Sequence, residues 1–173
     1  MKQIAILALW ILAPLIVPVM GETIDGTMNL THRPALKLSE ALNIGTKALE
    51  GDAKSFSCTI AKSKTSSSGG GWDLQFRSRT LPFRWISIDK SGKVTSNRDR
   101  PDLVANIKAP PRLAMERAIE IAVATRDKPR KWHPVYAHWD EEKDEWYLVI
   151  VNLNRDAVNF FVDSNGKARE QKQ

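Results

Sequence analysis

Few residues in this chain have the types and spacing to do chemistry, and each such set has a competing structural use. His133 and His138 lie five apart in HPVYAHW, which alternates like a strand. Odd spacing on a strand puts two side chains on opposite faces, so this pair cannot share a metal ion without a bulge. A zinc site also needs more convergent ligands, and His32 lies in a polar lead. Spacing alone names no Ser–His–Asp set. Asp89 and Asp163 invite a paired-carboxylate reading. Each, however, opens a four-residue segment ending in Gly92 or Gly166, where Asp bonds backbone ahead of it and Gly tolerates the last turn position. Glu141, Glu142, Asp144 and Glu145 could hold a cation weakly, and a solvated hairpin tip accounts for them as well. Cys58 is the only cysteine, so no intrachain disulfide forms. It alternates with Phe56 and Ile60 and reads as a small apolar side chain. SKTSSSGGG, residues 63–71, lacks the spacing of a phosphate-cradling loop and reads as a turn. The expectation is a chain with no catalytic residues, no metal and no cofactor.

The elements that position these residues come in two series. LKLSEALNIGTKALEG, residues 36–51, carries an apolar stripe of Leu38, Ala41, Leu42, Ile44, Gly45, Ala48 and Leu49 at helical spacing, with Gly51 as its stop. Strands follow at KSFSCTIAK, with Phe56, Cys58 and Ile60 on one face, then at WDLQFRSR and RWISID. NRDRPDLVANIKAPPR, residues 97–112, has the charges and prolines of an extended linker. The series then restarts. LAMERAIEIAVATRD is a helix with Met115, Ala118, Ile119 and Ala122 inward, and Pro129 prevents its continuation. HPVYAHW sets Val135, Ala137 and Trp139 on one face, and EWYLVIV and AVNFFVD complete the series.

The two series align without a gap over their last strands. Trp72 and Trp146, Leu74 and Leu148, Asp89 and Asp163, and Gly92 and Gly166 are each 74 positions apart, while Ala41–Ala118 and Ile44–Ile121 are 77 apart. The three extra residues fall in the Ser/Gly turn, where added length costs little. The pattern predicts an α+β fold of two repeats, each one helix packed on a three-stranded antiparallel sheet, over residues 36–96 and 113–169.

One asymmetry between the series points to binding. The first series' strand face opposite its helix carries Asp73, Gln75, Arg77, Trp85 and Ser87. The second carries Tyr136, His138, Tyr147, Val149, Val151 and Phe161. A face left in water should not read so apolar. Its cover is either the chain itself or a second molecule, and its aromatic rings suit an interface. A second candidate is the basic group Arg126, Lys128, Arg130 and Lys131 at the end of the second helix. It could meet an anionic partner, or simply face the helix dipole.

The stretch Ala41–Leu49 with Trp72–Phe76 and Ile86–Val94, and again Ala118–Ala122 with Trp146–Ile150 and Phe160–Ala168, resembles the PepSY domain. The resemblance spans most of residues 36–169. It implies a binding or inhibitory module of exported or membrane-attached proteins, directed at a protein or peptide such as a peptidase. It transfers no catalytic residue. No peptidase sequence follows in this chain, so the expectation is not a propeptide acting in cis.

Residues 1–21 open with Lys2 and are then uncharged to Gly21. Val19 and Gly21 suit a signal peptidase, with cleavage before Glu22 and a flexible lead over residues 22–35. The alternative is a retained anchor, which Pro14 and Pro18 disfavour as a continuous helix. The formal net charge of +6 falls to +5 without Lys2. This modest excess fits an anionic envelope surface better than nucleic acid, which export argues against. The reading is an exported, periplasmic or extracellular, non-enzymatic module that binds a protein or peptide, or a second copy of itself. The alternatives are a hydrolase or metal-dependent enzyme with an unrecognised site, and a structural envelope component.

Overall fold

The computed structural model describes residues 34–64, 70–99 and 106–171. The leader, most of the lead with His32, and residues 100–105 of the linker lie outside the described residues. The elements run α1 (Leu38–Ala48), β1 (Phe56–Ser63), β2 (Trp72–Ser78), β3 (Arg84–Ile88), β4 (Val94–Asp99), α2 (Met115–Ala124), β5 (His133–Asp140), β6 (Glu145–Val151), β7 (Ala157–Asp163) and β8 (Ala168–Glu170).

The expected pair of three-stranded units is corrected. The strands form one continuous antiparallel sheet of eight, in the order β4-β3-β2-β1-β5-β6-β7-β8. Each series ends in a further strand, and β1 pairs with β5 through Ile60–His138, Ala61–Ala137 and Lys62–Tyr136. β4 went unread because VTSNRD is a polar edge strand with no apolar face. It takes residues 97–99 out of the expected linker.

Both helices pack into one apolar core on the same side of the sheet. α1 lies over β2, β3 and β4, and α2 over β5, β6 and β7. Small residues one turn apart allow close approach: Ala41 and Gly45 on α1, Ala118 and Ala122 on α2, all buried. A Cβ on Gly45 would come within 2.7 Å of Leu74 Cδ1. Two indoles tie the helix entries to the sheet. Trp72 Nε1–H donates to the Leu36 carbonyl at 2.8 Å, and Trp146 Nε1–H donates to the Leu113 carbonyl at 2.8 Å. These indoles pack among apolar neighbours and still satisfy their N–H groups, the arrangement that makes a buried tryptophan inexpensive.

The helix ends differ from the sequence expectation. α1 stops at Ala48, and Glu50 rather than Gly51 takes the left-handed conformation, with φ 56°. α2 stops at Ala124, well before Pro129, where the Thr125 hydroxyl donates to the Ala122 carbonyl at 2.7 Å.

Two β-bulges upset the face assignments of the central strands. The β1–β2 register shifts between Cys58 and Ile60, and the β5–β6 register shifts between Pro134 and Tyr136. A bulge's extra residue inverts the alternation beyond it. Phe56 and Cys58 therefore pack with the helix-side core, while Ile60 packs on the opposite face. Likewise Val135 joins Tyr136, Val149 and Val151 away from the helices, and Ala137 and Trp139 stay with them.

Candidate functional site

The residues singled out by their chemistry are largely committed to structure. Asp89 Oδ1 accepts the backbone N–H groups of Ser91 at 2.8 Å and Lys93 at 3.0 Å, and the Ser91 hydroxyl at 2.6 Å. Asp163 Oδ1 accepts the N–H groups of Asn165 and Lys167, each at 2.9 Å. Gly92 and Gly166 close these turns with φ of 86° and 79°. The Ser91 hydroxyl, foremost, and the Lys93 N–H hold the Asp89 carboxyl below its usual range.

The bulge in β5 changes the relation of the two histidines. His133 pairs with Val151 and His138 with Tyr147, and both partners belong to the cluster away from the helices. The expected opposite faces are thus corrected. Val151 and Tyr147 are four residues apart along β6, a span of roughly 13 Å, too far for one ion to bridge the pair. Among the described residues no group of three or more His, Cys, Asp or Glu side chains converges as for a metal ion.

The acidic hairpin tip acts as a set of clamps. Glu141 takes Arg77 at 2.9 Å and the Lys108 backbone N–H at 2.6 Å, tying β2 and the linker to the β5–β6 hairpin. Asp144 accepts Trp139 Nε1–H at 3.2 Å. Glu145, whose side chain is only 8% exposed, takes Arg169 through both carboxylate oxygens, at 3.0 and 2.7 Å. Burial pushes the Cys58 thiol well up, and its Sγ–H donates to the Ile60 carbonyl.

The basic group at the end of α2 is divided. Arg126 pairs with Glu170 at 2.6 Å, and its guanidinium carbon lies 5.1 Å from the Phe160 ring centre and 5.7 Å from that of Trp132. Lys128, Arg130 and Lys131 are exposed around a short 3-10 turn over Pro129–Lys131.

The six residues of the apolar face come together on the side of the sheet away from both helices, in two layers of exposure. Tyr136, Val149 and Val151 are buried, with Val135, as a separate small cluster. His138, Tyr147 and Phe161 are half-buried. The rings form a chain of contacts: Tyr136 to His138 at 6.4 Å, Tyr136 to Tyr147 at 6.0 Å, and Tyr147 to Phe161 at 5.3 Å between centres. Arg169 extends the chain, its guanidinium 4.2 Å from the Phe161 centre. Cross-strand register explains the row, since His138, Tyr147, Phe161 and Arg169 are successive partners across β5 to β8. The same row continues over the seam through Ile60, Gln75, Trp85 and Arg98. Burial of the Tyr147 ring raises its phenol above the ordinary range. Sequence reasoning missed Arg169, because β8 is three residues long and carries no strand pattern. What the row offers is flat aromatic surface ending in a cation held by a carboxylate.

No family model and no curated protein matches the chain. Among solved structures it is similar to a presumed lipoprotein from Clostridium difficile 630, at 13% identity and a TM-score of 0.46, over 83% of this chain and 98% of that one.

Proposed function

We propose that this chain is an exported, non-catalytic module that recognises a partner protein through the ring row of β5 to β8. The observation that carries the reading is the run His138–Tyr147–Phe161–Arg169, half-buried or exposed on a sheet face that neither helix covers. Aromatic residues and arginine are the types enriched where interfaces concentrate their binding energy. Export is supported by the charge-free segment behind Lys2.

The test is capture from an envelope fraction, with the wild type and Phe161→Lys as parallel baits. Phe161 is a better probe than Val149, which is 3% exposed and would unfold on receiving a charge. The expected result is a discrete partner held by the wild type and lost from Phe161→Lys, with the variant melting at a lower temperature but fully folded at the temperature of the capture. Retention of the same protein by the variant, or no specific partner with either bait, rejects the reading. Sedimentation velocity separates a second copy of the chain from a different protein.

A further inference from the structure

The α2–β5 turn and the β6–β7 turn stand side by side, because His133 and Val151 are cross-strand partners and each turn adjoins one of them. The β6–β7 turn is held by its own hydrogen bonds. Asn152 Oδ1 accepts the backbone N–H groups of Asn154 at 2.8 Å and Asp156 at 3.0 Å, and the Asn152 amide donates to Asp156 Oδ2 at 2.7 Å. Arg155 takes the left-handed backbone that closes the turn, with φ 72°. Leu153 stands outward at the tip. It is 67% exposed, the one large apolar side chain so exposed among the described residues. A lone exposed leucine is ordinary on a protein surface. What sets this one apart is its surroundings. Lys128, Arg130 and Lys131 on one turn and Arg155 on the other are all exposed. Among the described residues no carboxylate pairs with any of these four, whereas Arg126 is taken up by Glu170. Asp127, Asp156 and the carbonyl end of α2 offset part of the charge. Of these, Asp156 is already bound to the Asn152 amide. The acidic tip at residues 140–145 lies at the far end of β5 and β6, roughly 25 Å away, and cancels little of it.

We propose that this end of the molecule seats on an anionic lipid bilayer, with Leu153 entering the headgroup layer and Lys128, Arg130, Lys131 and Arg155 facing lipid phosphates. Reversible seating of this kind adds two modest terms, apolar burial at the headgroup boundary and attraction of basic residues to a negative surface. Both are present here on adjoining turns. An acidic polymer would meet the cations and leave Leu153 in water, and a zwitterionic bilayer would take Leu153 and leave the cations unanswered. The ring row crosses β5 at His138, five residues beyond the start of the strand, so this surface and the one assigned to a protein partner can fail separately.

The test uses the full chain with Asn154→Cys carrying a polarity-sensitive fluorophore. It is titrated with vesicles of phosphatidylcholine alone and of equimolar phosphatidylcholine and phosphatidylglycerol. Asn154 is exposed beside Leu153, and Cys58 competes poorly for the label because burial keeps its thiol protonated. The probe sits on the tip because the uncharged residues 3–21 can bind vesicles by themselves without bringing the tip to lipid. The expected result is a saturable blue shift on the mixed vesicles that weakens with added salt, with tip partitioning about tenfold or more weaker on phosphatidylcholine alone. Lys128→Gln, Arg130→Gln and Lys131→Gln together should weaken it by about a hundredfold. Leu153→Ser should weaken it by about threefold to tenfold and keep the preference for phosphatidylglycerol. All four positions are exposed, so the substitutions keep the fold, which thermal melting checks. Equal partitioning into both kinds of vesicle, either variant seating like the wild type, or no blue shift on the mixed vesicles overturns the proposal.

Discussion

Ala61 stands directly opposite Ala137 where β1 pairs with β5, and neither side chain exposes any surface. The pair sits on the helix side of the seam that makes one sheet of the two series. Methyl groups are what this position accommodates. Ala61→Leu is expected to cost about 1–3 kcal/mol by overpacking. Urea unfolding at pH 7 measures it, and a midpoint within error of the wild type would show that the seam has room to spare.

Glu50 adopts φ 56° immediately beyond α1, the position at which helices most often place glycine. A side chain there pays for a left-handed backbone that glycine reaches freely. Glu50 is exposed, so little packing is lost on its removal. Glu50→Gly is therefore expected to stabilise the fold by about 0.5–1 kcal/mol, against the usual direction of a glycine substitution. Gly51→Ala serves as the control: nothing lies within 4 Å of its added Cβ, and its φ is not left-handed. Thermal melting of both variants decides the matter, and destabilisation by Glu50→Gly would refute it.

These two sites show where sequence reasoning succeeds and where it stops. The strands around Trp72, Ile86, Trp146 and Phe160 are legible because one of their faces is buried and alternation records it. The turns at Asp89 and Asp163 are legible because local hydrogen bonding selects their residue types. The bulges beside Thr59 and Val135 are not, since an inserted residue leaves composition unchanged while inverting every later side chain. Nor is the Ala61–Ala137 seam, because a partner 76 positions away writes nothing into the local pattern beyond two small residues. The candidate face was readable as a set of rings. The burial of Val149 and Val151 beneath it, and the arginine that ends it, depend on three-dimensional neighbours.

Acid should expose the contribution of the Asp89 turn. Its folded carboxyl is held below the ordinary carboxylate range by the Ser91 hydroxyl first and the Lys93 N–H next. A depressed folded value means that the unfolded chain takes up the proton more readily. The stabilisation is therefore complete above about pH 4 and is lost as pH falls through the folded value. Asp89→Asn keeps an oxygen acceptor but removes the titration. The stability gap between wild type and Asp89→Asn, measured by urea unfolding, should be constant from pH 7 to about pH 5 and should close below about pH 4. A gap independent of pH would show that the charge on Asp89 contributes nothing to the turn.

Arg169 connects the stability of β8 to the ring row. Its guanidinium meets both oxygens of Glu145, and the same group lies over Phe161. Glu145 is almost fully buried and Arg169 is 59% exposed, so the pair is screened on one side only. Removing the arginine leaves a carboxylate with little water to replace its partner, and Arg169→Ala is expected to cost about 1–2 kcal/mol. Arg169→Lys should recover only part of this, because a compact ammonium can meet the carboxylate but cannot lie flat over the Phe161 ring as the planar guanidinium does. Arg169→Ala combined with Glu145→Gln should recover more than the lysine, since it removes the stranded charge itself. If the cost instead came from the lost ring contact, the lysine and double variants would be equally destabilised, and a double-mutant cycle over Glu145 and Arg169 would return no coupling.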